Sequence, residues 1–273
     1  MAQPAEKVPR VVVFDSGVGG LSVLDALQRQ LPGHQYYFVS DNAGFPYGTR
    51  SEYSLTQRVH KVLRQIMPHL QPDLLVVVCN SASTVVLPSL RESYETPFVG
   101  VVPAIKPAAA LSKTGVIGLL ATPATVQREY THRLVREFAP NCRVEMHGSG
   151  ELVEIAERAI RGVAPGPMQM QQALQPLIDR CSEEVDTLVL ACTHFPLIKQ
   201  WIEPYFPSVQ HWVEPADAIA RRVESLLGKG QPGLTEQPRA ILTQADGDLD
   251  ALQAYLGKLG FGPVEVREID AAH

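Results

Sequence analysis

The stretch Asp73-Leu-Leu-Val-Val-Val-Cys79-Asn-Ser-Ala-Ser83 decides how the chain is read, together with its echo Asp186-Thr-Leu-Val-Leu-Ala-Cys192-Thr-His-Phe195. In each, an Asp precedes five mainly apolar residues and then a Cys. Runs of this length and uniformity suit parallel strands buried on both faces. The small hydroxyl and amide residues that follow are good helix N-caps. Each Cys is therefore expected at the carboxyl end of a strand and just before a helix, where open α/β sheets place their ligands. A lone free Cys is commonly a small buried hydrophobe. Two in the same setting read as one unit used twice, and two facing thiols are what a two-base proton transfer needs.

Working outward, 273 residues fit one large domain or two of ordinary size. Apolar residues at 45% supply a core, and charged residues at 19% are too few for disorder. A net charge of −5 with no Lys/Arg-rich run argues against nucleic acid or an anionic membrane as partner. The first residues, MAQPAEKVPR, lack a signal-type apolar core, and no run approaches membrane-spanning length, so a cytoplasmic protein is expected. The Cys at 79, 142, 181 and 192 form no CxxC and have no His at zinc spacing, so neither disulfides nor a metal site is expected.

Strand and helix patterns alternate on either side of these runs. Val11–Phe14 is a predicted strand ending in Asp15-Ser-Gly-Val-Gly-Gly20, with a helix after it carrying Leu21, Leu24 and Leu27 on one face. A strand to Ser40 enters the Gly- and Pro-rich loop Asp41–Gly48. After Val102 the alternation restarts, with predicted helices over 125–138, 151–161 and 168–182, and a turn-rich linker over 228–237. The fold class is α/β: two similar parallel-sheet domains with the active site in the cleft between them. Residues 1–98 plus 210–273 are assigned to the first domain and 99–209 to the second.

An unperturbed Cys thiol, with pKa about 8.5, is only a few per cent thiolate at pH 7. A helix N-terminus adds ~0.3–1 kcal/mol, less than the ~1.4 kcal/mol that one pKa unit requires. Further donors must favour the thiolates, and Asn80, Ser81 and Thr193 are placed to help. Nothing repeats around Cys142 and Cys181, which read as structural. The Asp15–Gly20 loop lacks the third Gly of a dinucleotide fingerprint and the Lys of a P-loop. It reads as a tight turn whose Asp15 and Ser16 face the cleft and grip an ammonium, with a plain turn as the alternative. His194 stands two residues after Cys192, within hydrogen-bonding reach, or else is a satisfied core His. Glu154 and Glu157 share a helix, where most such residues face solvent.

Together, FDSGVGGLSVL at 14–24, PYG at 46–48, VCNSAS at 78–83 and ACTHFPLI at 191–198 resemble the four main signatures of the glutamate racemase family, in its order. The likeness runs from about residue 10 to 227 and more loosely beyond. The family's CNTAT is CNSAS here, and the Cys-Pro that often precedes the Glu157 segment is Ser149-Gly150. The resemblance implies two flavodoxin-like domains and a cofactor-independent racemisation of L- to D-glutamate for peptidoglycan synthesis. It implies Cys79 acting on the D enantiomer and Cys192 on the L, with Asp15 and His194 assisting the thiols and Asp41 and Glu157 in support. Asp15, Ser16, Tyr47, Gly48, Asn80, Ser81, Thr193 and His194 match its substrate-contacting positions. Substrate carboxylates are expected on backbone N–H groups and hydroxyls, since few Arg or Lys are near. Family members often dimerise, in differing arrangements. Rival readings are a sister enzyme acting on aspartate, hydantoin or maleate, and a non-catalytic amino-acid binding module on the same double fold.

Overall fold

The structure is a computed structural model that describes residues 7–231, 233 and 236–270. The chain opens with β1 (Arg10–Asp15), α1 (Leu21–Gln30), β2 (Gln35–Ser40), α2 (Glu52–Leu70), β3 (Leu74–Val77), α3 (Asn80–Ser93) and β4 (Phe98–Gly100). It continues through α4 (Ile105–Leu111), β5 (Val116–Ala121), α5 (Pro123–Gln127), α6 (Glu129–Phe138), β6 (Arg143–Gly148), α7 (Gly150–Ile160), α8 (Pro167–Cys181) and β7 (Thr187–Leu190). The rest is α9 (Lys199–Ile202), β8 (His211–Val213), α10 (Ala216–Leu227), β9 (Arg239–Leu242), α11 (Leu249–Lys258) and β10 (Glu265–Val266). Part of the expected 228–237 linker, and the start of MAQPAEKVPR, lie outside the described residues.

The strands form two all-parallel sheets, ordered β10-β9-β2-β1-β3-β4 and β6-β5-β7-β8. Both contain the same four-strand order: second, first, third, fourth. The repeat seen in the two Cys segments is thus a repeat of topology. Alternation sorts each strand's side chains to opposite faces. Leu74, Val76 and Val78 join the core beneath α1 and α10, while Leu75, Val77 and Cys79 join the one beneath α2 and α3. In β7 and its extension, Leu188, Leu190 and Cys192 share one face, with Val189 and Ala191 on the other. Both faces are covered, which is why these runs are almost wholly apolar, with Thr187 the one exception.

Three expectations need correction. The strand at 211–213 pairs with β7 and belongs to the second sheet, and β4 reaches Gly100 in the first. The chain therefore crosses between units after Gly100 and again after Val213, not at 98/99 and 209/210. It returns as α10, whose Ile219, Ala220 and Val223 pack with Leu24 and Leu27 of α1. The predicted helix over 125–138 is broken at Arg128, whose backbone is extended (ψ 134). Cys79 does cap a helix, α3, but Cys192 leads into a 3-10 turn over Phe195–Ile198. Pro196 has no N–H to bond the Cys192 carbonyl at helical spacing, and Phe195 N–H takes that carbonyl at 3.1 Å instead.

Candidate active site

In each sheet the strand order reverses between its first and third strands, and the carboxyl ends there open a crevice. In the first sheet these ends present Asp15 and Ser16 beside Cys79, and in the second Thr122 beside Cys192. Both thiols, one from each unit, line a single cavity of about 160 Å3. That is below the ~300–1,000 Å3 typical for drug-sized ligands and suits a small metabolite. Ser16, Tyr47, Gly48, Asn80, Ser81, Thr193 and His194 line it as well. Asp15, Asp41 and Glu157 do not: all three stand behind the residues that do. Among the described residues no three His, Cys, Asp or Glu are grouped to hold a metal.

Asp15, expected to face the cleft, is fully buried. Its Oδ2 accepts from Gly20 N–H at 2.8 Å, closing the DSGVGG turn, while Oδ1 has no partner among the described residues. Burial pushes its carboxyl up, partly offset by the nearby His194. The glycines of this turn permit a close approach to the second unit. A Cβ on Gly17 would overlap the Glu157 carboxylate, and one on Gly19 would sit 2.5 Å from His194 Nδ1 and Thr193 Oγ1.

Burial, and then the Asp15 charge, push the Cys79 thiol well above its usual range, which favours the protonated form. The groups that oppose this are the Ala82 N–H and the Ser16 hydroxyl, 3.8 Å from Sγ, rather than the expected Asn80 and Ser81. Ser81 Oγ instead meets Thr122 Oγ1 of the other unit at 3.1 Å. Asn80 is 3% exposed, lines the cavity and, among the described residues, has no partner for either side-chain amide atom. A buried polar group left so costs ~1–3 kcal/mol, and a ligand that bonds it recovers that.

Cys192 has a different neighbour. His194 Nδ1 lies 3.8 Å from its Sγ, and Nε2 lies 2.7 Å from Glu157 Oε1. Burial alone would lower the imidazole, but the Cys192 sulfur and the Glu157 carboxylate hold it well above 6.5. Burial would raise Glu157, yet the His194 hydrogen bond and charge, the Val18 N–H and Arg161 hold it down to about 2. Glu157 and His194 thus form a buried ion pair with the imidazolium facing Cys192. Glu157 does not face solvent, as most helical Glu do.

Asp41 closes a third cluster. It accepts from the Tyr47 hydroxyl, from Thr243 Oγ1 at 2.7 Å, and from Arg58, whose Nε lies 2.8 Å away. Arg58 also donates to the Ile269 carbonyl at 3.0 Å and to the Asp270 carbonyl. Asp41 therefore fixes the Tyr47 ring in the cavity wall and does not reach the cavity itself.

Sequence reasoning missed Thr122, Pro123, Phe45 and Val153 in the lining, along with Arg58 and Arg128 behind it. Arg128 crosses between the units, with Nη1 2.7 Å from the Ser81 carbonyl on the first turn of α3. Thr122 was findable, since it follows a strand at the same switch position as Ser16. The Ser149-Gly150 departure is accommodated: Ser149 Oγ caps α7 at Leu152 N–H, 3.2 Å, and Gly150 lines the cavity. Cys181 is buried in the second unit's core and donates to Leu177 O, while Cys142 lies at the core's edge.

The fold and paired thiols define a class, and comparison with known proteins bears on it directly. The Asp/Glu/Hydantoin racemase family profile matches residues 16–223, and the chain belongs to this family. It is 44% identical over 264 residues to a glutamate racemase of Vibrio parahaemolyticus, covering 96% of each chain. With a glutamate racemase of Salmonella typhimurium it shares 47% identity over 231 residues, covering 85% of this chain and 81% of that one. The crystal structure of Escherichia coli glutamate racemase, in complex with L-glutamate and the activator UDP-MurNAc-ala, superposes with a TM-score of 0.90 at 42% identity. That match covers 96% of this chain and 99% of the other.

Proposed function

We propose that the protein interconverts L- and D-glutamate by passing the α-proton between two thiols. The observation that carries this reading is that Cys79 and Cys192, from separate units and matching strand ends, line one small cavity. One sulfur, as thiolate, takes the α-hydrogen as a proton and leaves a carbanion-like α-carbon. The other, as thiol, returns a proton to the opposite face. The thiol and thiolate have then exchanged places, and the enzyme is set for the reverse direction. Cys79 acts on the D enantiomer and Cys192 on the L.

Because burial keeps Cys79 protonated in the free protein, its ionisation needs the positive charge of the substrate ammonium nearby. His194, held by Glu157, faces Cys192 with a donor and steadies the sulfur during transfer. Among the described residues no Lys or Arg lines the cavity, so the substrate carboxylates rest on backbone N–H groups, Ser and Thr hydroxyls and the Asn80 amide. Thr122 belongs with these donors. The D-glutamate formed serves peptidoglycan synthesis, and we place the reaction in the cytoplasm, with a homodimer as the working assembly. Among the described residues no helix is long and apolar enough to cross a membrane.

The test is incubation with L-glutamate in D2O without added cofactor, following optical rotation and α-deuteration together. Racemisation with solvent deuterium at Cα is expected, and a panel of aspartate, hydantoin and maleate separates the sister activities. Binding of glutamate with no deuterium wash-in means a binding module instead. In single turnovers, Cys79→Ser and Cys192→Ser should each lose exchange of one enantiomer. Exchange of both enantiomers by both variants ends the two-thiol reading.

A further inference from the structure

Behind Cys192 lies a longer chain of contacts than catalysis by a Cys–His–Glu cluster requires. Glu157 Oε1 takes His194 Nε2 and, at 2.9 Å, the Val18 N–H of the first unit. Its other oxygen, Oε2, accepts from Arg161 Nη1 at 2.7 Å, and the same nitrogen reaches the Glu157 carbonyl at 2.8 Å. Arg161, just after α7, then extends its Nη2 to Asp246 Oδ2. Asp246 belongs to the first unit, in the loop between β9 and α11, where its Oδ1 accepts Asp248 N–H at 3.0 Å. Both side chains are 14% exposed, so the pair is largely shielded from water.

From these contacts we infer that Arg161 and Asp246 form a latch across the cleft that positions the Glu157–His194 pair against Cys192. They are positioning residues for the proton transfer at that thiol, and the inference rests on the two-thiol reading above. The physical reason lies in what Glu157 needs. Its carboxylate must present one oxygen to His194 while carrying a second cation on the other. Arg161, four residues on at the C-cap of α7, supplies that cation but, alone, is free to turn with its long side chain toward solvent. Asp246 removes this freedom by holding the far end of the guanidinium from the opposite unit. The two-ended hold uses the planar fork of Arg, which Lys cannot reproduce. Since Asp246 and Glu157 sit on different units, the five-membered chain Asp246–Arg161–Glu157–His194–Cys192 is complete only when the units are closed on each other. On the Cys79 side Arg128 also crosses the cleft, but it bonds the Ser81 carbonyl and Thr84 of α3, not Ser16 or Asp15, the groups beside that thiol. The latch therefore acts on one half of the reaction.

The test uses the full chain carrying Asp246→Asn, Arg161→Met and Arg161→Lys. Thermal unfolding is checked first, and if Asp246→Asn fails to fold, Arg161→Lys, which keeps the charge, stands in for it. We expect kcat to fall roughly 5–50-fold with KM for glutamate changed by less than about twofold. Arg161→Lys should retain more activity than Arg161→Met. The diagnostic readout is the isotope effect from α-deuterated substrate in each direction. If transfer at Cys192 alone is slowed, the effect on L-glutamate rises, because removal of its deuteron becomes limiting. The effect on D-glutamate falls, because the limiting step there is return of a proton from Cys192. Opposite movements support the latch. Their reversal also supports it, while exchanging the enantiomers assigned to the two thiols. Equal movements, or an unchanged kcat in a folded Asp246→Asn protein, overturn it. Failure of the two-thiol reading shows separately, as full exchange of both enantiomers by the Cys→Ser variants.

Discussion

His194 and Glu157 stand 2.7 Å apart, nitrogen to carboxylate oxygen, with the far ring nitrogen aimed at Cys192. One side chain thus sets both the charge and the orientation of the other. A charge-assisted bond of this kind contributes about 1.5–3 kcal/mol, so Glu157→Gln should lower kcat roughly 10–100-fold. Steady-state kinetics on the folded variant check this, and a kcat within twofold of the parent protein would remove Glu157 from the argument.

The same pair ties stability to pH at both ends. Glu157 is depressed from 4.5 to about 2, so its contribution is full above pH 4.5 and is lost as pH falls toward 2. A displacement of that size is linked to something on the order of 3 kcal/mol. His194 is raised above 6.5, so its contribution is full below that pH and is lost as pH rises through the folded value. Denaturant titrations across pH should therefore show Glu157→Gln with a flatter acid limb and His194→Asn with a flatter alkaline one.

Thiol chemistry offers a third check. Cys79 is 7% exposed with its thiol pushed up by burial, whereas Cys142 is half-buried at a core edge. Iodoacetamide at pH 7 should label Cys142 before Cys79 in the free protein, as read by peptide mass mapping. Preferential labelling of Cys79 would mean that burial does not govern that sulfur.

Two glycines separate close approach from open space. Gly19→Ala places a methyl 2.5 Å from His194 Nδ1 and Thr193 Oγ1. It should cost about 1–3 kcal/mol and most of the activity. Gly257→Ala lies within α11 with nothing around its added carbon, and should gain about 0.5–1 kcal/mol. Melting temperatures that move together would contradict the contrast.

Arg58 is fully buried against Asp41. Arg58→Met leaves that carboxylate without its cation, a loss of about 3–5 kcal/mol, measurable as a lower denaturation midpoint. Because Asp41 holds Tyr47 in the cavity wall, KM should rise as well.

How much of this was legible depended on range. The strands before Cys79 and Cys192 stood out because burial on both faces leaves a nearly unbroken apolar run, with Thr187 its one polar residue. That the thiols would meet in one cavity followed from the repeat, since matching strand ends in facing units point at one crevice. The direction of Asp15 was not legible: an Asp at a strand end can turn outward or close its own loop, and the Gly20 N–H decides it. Ser16 as the neighbour of Cys79 depends on strands paired across 63 residues. Arg58 left a trace, a charge seated among Leu55, Val59 and Val62 on the buried stripe of α2. Its partners come from 17 and more than 200 residues away. The return of the chain after Val213 was misjudged because β8 is three residues long, two of them half-exposed, and carries no periodic signal.

The second unit is, in effect, an insertion within the first. During synthesis, β1 to β4 emerge early, but β9, which covers the outer edge of β2, is made about 200 residues later. At roughly 5–20 residues per second that edge stays bare for about 10–40 s, and so does the face of α1 that α10 will cover. The half of the molecule that starts first must finish last, with an unpaired strand waiting as a hazard for association with other nascent chains.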